Sequence, residues 1–174
     1  MKRAMSWALL VAGTALAISA APAIPAAAAT SGSETLSGTI VFAATGPTTR
    51  TVVSSVVRAR GVFKGVGRVV EVAFGDPVSQ DDLAFPGGTL HVVSTLRESL
   101  SFHINPHSCL FTGTSRLTYQ VTGGTGKFAG ATGNFAGTVS GRALLVRNPD
   151  GTCSTAQLPL HEVDKFAESG TLSF

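Results

Sequence analysis

Glu71 and Tyr119 are the two residues of this chain whose types and placement suit proton chemistry. In the run 62–74, Lys64 and Arg68 share one alternate set of positions, and Phe63, Gly65, Gly67, Val69 and Glu71 share the other. With the basic set meeting solvent, Glu71 faces the apolar side, where desolvation favours the neutral carboxyl and suits it to general acid or base work near neutral pH. Tyr119 lies on the apolar face of 110–121 with Phe111, Leu117 and Val121, where its hydroxyl can orient a carbonyl or enol oxygen. The structural alternative is that Glu71 pairs with an arginine near the mouth of the fold and Tyr119 is an amphipathic core residue.

Other chemistries are poorly supplied. His91, His103, His107 and His161 have no Cys or carboxylate cluster to complete a ligand set, so no metal is expected and they read as solvated strand-end residues. The segment Gly124-Thr125-Gly126-Lys127 resembles a phosphate loop only superficially, because Phe128 stands where Ser or Thr is required and no βαβ unit surrounds it. A Gly-x-Ser-x-Gly elbow is absent. The reading is therefore cofactor-free.

The elements that must position these residues read almost entirely as strands. Residues 35–44 alternate, with Leu36, Gly38, Ile40 and Phe42 opposite Thr35, Ser37 and Thr39, until Gly46-Pro47 breaks the run. Residues 50–58 and 62–74 follow as strands. The segment 75–88 is rich in turn residues (Asp76-Pro77, Asp81-Asp82, Pro86-Gly87-Gly88) and reads as a loop. Residues 89–95 and 98–104 read as two shorter strands around a tight connection near Leu96.

Residues 110–121 are sided, and Gly113 and Ser115 thin the apolar face at its middle. Residues 121–137 are too glycine-dense for a helix and read as a shaped turn anchored by Phe128 and Phe135. A strand over 135–147 ends at Asn148-Pro149-Asp150-Gly151. In 158–166 the spacing of Val163, Phe166 and Ala167 allows a short helix or an irregular strand. The terminal SGTLSF (169–174) echoes SGTIVF (37–42), as first and last strands would where a sheet closes. Eight strands and little helix imply an all-β sandwich or barrel, and the closed eight-stranded antiparallel barrel is preferred because closure removes exposed edges.

The chain has 174 residues and begins with a secretory pattern: Lys2 and Arg3, an apolar run over 7–17, and Ala27-Ala28-Ala29 as a small-residue cleavage site. Residues 1–29 are assigned as signal peptide and 30–174, about 145 residues, as a single domain that is exported and not retained in the membrane. Losing Lys2 and Arg3 lowers the formal charge from +3 to +1, which argues against a nucleic-acid or anionic-lipid partner. Cys109 and Cys153 both fall in the exported part, where an oxidising compartment favours a disulfide over two buried thiols. Such a bridge is worth about 4 kcal/mol in the chain-entropy model.

The segment GGTGKFAGATG (123–133) resembles the glycine-rich signature of the allene oxide cyclase and dirigent superfamily, in its small secreted actinobacterial branch. The Phe-Pro-Gly-Gly turn at 85–88, a Cys before the Thr-rich strand, and Gly151-Thr152-Cys153 add to that resemblance. It covers the C-terminal half well and the N-terminal half by strand pattern alone. It implies an eight-stranded antiparallel barrel with an apolar interior, in a group that guides cyclisation or radical coupling without a cofactor. The first functional expectation is an interior that binds a small, largely apolar molecule through Phe63, Phe111, Gly113, Ser115 and Leu117. The second adds a cyclase or isomerase using Glu71 and Tyr119. The third is an extracellular structural or interaction protein with a solid interior and an apolar patch on 75–88.

Overall fold

Side chains that alternate with period 2 give this chain strands with one face for a core and one for water. A computed structural model describes residues 30–174 apart from Asp76 and the side chains of Glu71 and Val72, so the leader assigned to 1–29 lies outside the described residues. The elements are β1 (Ser31–Ala44), β2 (Arg50–Gly61), β3 (Lys64–Ala73), β4 (Val78–Phe85), β5 (Gly88–Asn105), β6 (Leu110–Gly124), β7 (Thr132–Leu144) and β8 (His161–Ser173). One 3₁₀ turn, Gly126–Phe128, follows β6. Each strand pairs antiparallel with its chain neighbours, and β1 pairs also with β8, from Ser31 opposite Ser173 to Ala43 opposite His161. The sheet thus returns on itself as a barrel-like ring, closed by the first and last strands.

Three local expectations are corrected, although the strand total stays at eight. The segment 75–88 contains β4: Asp81, Leu83 and Phe85 alternate toward the interior, and pairing with both β3 and β5 outweighs the turn propensity of Asp81-Asp82. Residues 88–105 form one continuous strand, in which register shifts at Leu96/Glu98 and Ser99/Ser101 absorb the break expected near Leu96. Residues 158–166 contain no helix. From His161 they join 169–173 in β8, because the strand finds hydrogen-bond partners on both sides, in β1 and β7.

The ring has a lower end, formed by the 62–63 and 86–87 turns, the glycine-rich segment and the two ends of the described chain, and an upper end formed by the other connections. Below, Phe63, Phe85, Phe128 and Phe174 pack edge to face, with ring centroids 4.9–6.0 Å apart. The glycine-rich turn puts this plug in place. Gly126 has φ +58, and a Cβ there would strike the Gly87 carbonyl oxygen, so only glycine lets Lys127 N–H reach that oxygen at 2.9 Å. Phe128, fully buried, swings inward from the same turn. Glu34, also buried, accepts the N–H of Thr35 at 3.1 Å and that of Phe63 at 3.0 Å, fixing the 62–63 turn over the plug.

Above, the closure is looser. The β2 and β3 backbones pair only over Val57–Arg60 and Lys64–Gly67. Beyond that point the Ser55 hydroxyl bridges the seam, accepting the N–H of Val69 at 2.8 Å and donating to its carbonyl at 3.1 Å. The Cys109–Cys153 disulfide ties the β5–β6 turn to the long β7–β8 connection. Arg147 donates to the carbonyls of Pro106 and His107, at 3.3 and 2.8 Å, and holds the same two segments together. Among the described residues no helix is long and apolar enough to cross a membrane.

Candidate functional site

Above the plug the interior is hollow. A cavity of about 380 Å³ occupies the upper half of the ring. Its floor is made by Val69, Leu83, Val92, Tyr119 and Glu168, and its rim by Phe42, Arg50, Phe74, Pro77 and Glu162. Four inward positions of β6 expected to line an interior do so: Phe111, Gly113, Ser115 and Leu117. Phe63 does not. It belongs to the 62–63 turn, one residue before β3 begins, and its ring is taken up by the lower plug.

Tyr119 lines the cavity and is largely removed from water. Burial first, then the carboxylates of Glu168, Asp81 and Asp164, push its phenol well above its ordinary value, so at neutral pH it is a hydrogen-bond donor rather than a phenolate. Glu71 lies in β3 across from Asp81, and its side chain is outside the described residues.

Among the described residues, the carboxyl groups that face the cavity come from β4 and β8. Asp81 lines it from β4, and Glu162, Asp164 and Glu168 line it from alternate positions of β8. Glu168 is the most secluded, at 5% exposure, and its Oε2 has no hydrogen-bond partner. Burial, with a smaller contribution from the Asp81 charge, pushes its pKa from 4.5 up to about 8. Burial and then Glu162 raise Asp164 as well, while Arg50 opposes the shift. At neutral pH the floor therefore holds a protonated, proton-donating carboxyl beside a protonated phenol.

Glycines of β7 make room for these groups. Gly137 pairs with Glu168 and Gly141 with Asp164. A Cβ at Gly137 would lie 2.6 Å from the Glu168 Cβ, and one at Gly141 would lie 2.7 Å from the Asp164 Oδ1. At the rim, Arg50 meets Glu162 at 3.0 Å and lies over the rings of Phe42 and Phe74, 3.8 and 4.0 Å from their centroids. The arginine pairing expected of Glu71 near the mouth falls on a side chain outside the described residues; the pair described there is Arg50 with Glu162.

The histidines sit apart from this site. His91 Nδ1 is 2.6 Å from the Asp82 Oδ1 on the outside of the β4–β5 pair, and His103 and His107 are exposed near the disulfide. Among the described residues no group of three His, Cys, Asp or Glu side chains is arranged to hold a metal.

The β8 carboxyls were missed by the sequence reading, yet a signal existed. Glu162, Asp164, Phe166 and Glu168 recur with period 2, and the apparent helical spacing of Val163, Phe166 and Ala167 obscured it. Comparison with family models, curated proteins and solved structures gives no match.

Proposed function

We propose that this chain is an exported, cofactor-free barrel of the allene oxide cyclase and dirigent type that binds a small, largely apolar molecule in its interior. The observation that carries the reading is the cavity of about 380 Å³, a volume in the usual range for small-molecule sites, above the phenylalanine plug that closes the lower end. Its walls are mostly carbon, from Ile40, Val139, Leu96 and Phe166, with a few converging polar groups. Export is supported by the Cys109–Cys153 bridge, which is compatible with an extracellular protein. A hollow interior also weighs against the purely structural role.

Ser115 already directs a side chain into the cavity, so Ser115→Trp fills it without a new backbone demand. The neutral fluorophore N-phenyl-1-naphthylamine is expected to brighten on mixing with the wild type and to lose about tenfold or more in affinity for the variant. A wild type that leaves the probe dark, or a variant that binds it equally well, overturns the reading.

The pairing of Glu168 with Tyr119 favours a second reading, a templating cyclase or isomerase. A neutral buried carboxyl can give its proton to a carbonyl or alkene carbon and take one back, while the phenol steadies the developing oxygen charge. Here Glu168 takes the part the sequence assigned to Glu71.

A further inference from the structure

We propose, resting on the interior-binding reading above, that the molecule taken up carries a basic amine on an apolar body, and that Glu168 holds this nitrogen at the cavity floor. Glu168 Oε2 is buried, lines the cavity and has no hydrogen-bond partner. A polar atom secluded in this way is costly, and an entering N–H donor removes that cost.

The surroundings favour a cation. Besides Glu168, the cavity is faced by Asp81 from β4, Asp164 and Glu162 from β8, Tyr119 from β6, and Arg50 from β2 at the rim. The described inward groups from β1, β3, β5 and β7 are uncharged there, among them Ile40, Val69, Ser94 and Val139. Among the described residues one guanidinium thus stands against four carboxyl groups, and it is engaged at the rim with Glu162. Hydrogen-bond donors are already supplied by Tyr119, Ser94 and Ser115. What the described lining has in excess is carboxyl oxygen, with Glu168 Oε2 left without a partner.

The space beside these groups is also specific to them. Gly137 and Gly141 remove the neighbouring side chains that would crowd Glu168 and Asp164. A ligand carboxylate would instead add a negative charge near Asp81 in a poorly hydrated interior, an arrangement that is penalised. In proton terms, an ammonium that pairs with Glu168 displaces the carboxyl proton to solvent, whereas a free amine accepts that proton directly. Charge balances either way.

The test uses three ligands sharing one apolar body, 4-phenylbutylamine, 4-phenylbutan-1-ol and 4-phenylbutyrate, titrated calorimetrically into the disulfide-intact protein at neutral pH. The amine is expected to bind about tenfold or more tightly than the alcohol, with the carboxylate weakest. In Glu168→Gln, which keeps the side-chain shape, the advantage of amine over alcohol should shrink to about twofold while alcohol affinity changes little. Repeating the amine titration in phosphate and Tris buffers should show proton release in the wild type that is lost in the variant.

An alcohol that binds as well as the amine, or an amine preference that survives in Glu168→Gln, overturns the inference and leaves interior binding standing. Amine binding that persists in Ser115→Trp is surface attraction and overturns it too. If none of the three ligands binds and N-phenyl-1-naphthylamine also fails, the interior-binding reading falls with it.

Discussion

The same eight strands pass through both ends of the ring, yet the lower end is packed with phenyl rings and the upper end is lined with carboxyl groups around open space. Below, four Phe rings contact one another and the glycine-rich turn is pulled tight against the 86–87 turn. Above, β2 and β3 part, Ser55 bridges the gap, and a disulfide with Arg147 replaces packing as the restraint. The contrast teaches that stability and binding are separated along one axis. Carbon burial closes one end, and a covalent tie joins two connections at the other without filling the space between the strands.

The two largest expected effects set these restraints against each other. Phe128→Ala removes a fully buried ring from the plug and should cost about 4 kcal/mol in denaturant unfolding, within the range for large-to-small aromatic changes. Replacing Cys109 and Cys153 together by Ala should cost about 4 kcal/mol on the chain-entropy model for a crosslink spanning 44 residues. The mechanisms are separable. Loss of the disulfide frees the unfolded chain and should raise the denaturant m-value, whereas Phe128→Ala should leave it nearly unchanged. A Phe128→Ala variant as stable as wild type would remove the plug from the account, and an unaltered m-value after disulfide loss would remove the unfolded-state explanation.

A smaller effect sharpens the difference, because the upper half holds a buried carboxyl at a cost. With its pKa raised from 4.5 to about 8, Glu168 keeps a proton in the folded state that the unfolded chain has already released. The folded state therefore binds more protons across this window, and stability is full below about pH 4.5 and falls as pH rises to about 8. Glu168→Gln should be near neutral at the acid end and more stable than wild type by something on the order of 3 kcal/mol at the alkaline end. Thermal melts of both proteins across that range check this, and parallel pH profiles would contradict it.

Much of the upper lining was legible because β6 kept an uninterrupted alternation, so Phe111, Gly113, Ser115, Leu117 and Tyr119 share a face in sequence as they do in space. The lower plug was half legible. Phe128 is a recognisable anchor of the glycine turn, but the alternation of 62–74 reads Phe63 into a strand when it lies in a turn. Glu34 gave no signal, since its value lies in reaching the N–H of Phe63, 29 residues away. The carboxyls of β4 and β8 were hidden by local rules: Asp81-Asp82 has turn chemistry, and 158–166 carries an accidental helical spacing.

The sequence by itself determined the all-β class, the one glycine-built turn and a pair of cysteines able to meet, because strand alternation, positive φ and disulfide chemistry are properties of neighbouring or individual residues. Only the tertiary structure decided which alternate set of β4 and β8 faces inward, where the hollow begins and which carboxyl is stranded at its floor. Those depend on register across strands and on closure of β1 against β8. A one-residue slip would turn Glu168 outward to water and leave no site, although every local preference in β8 would be unchanged.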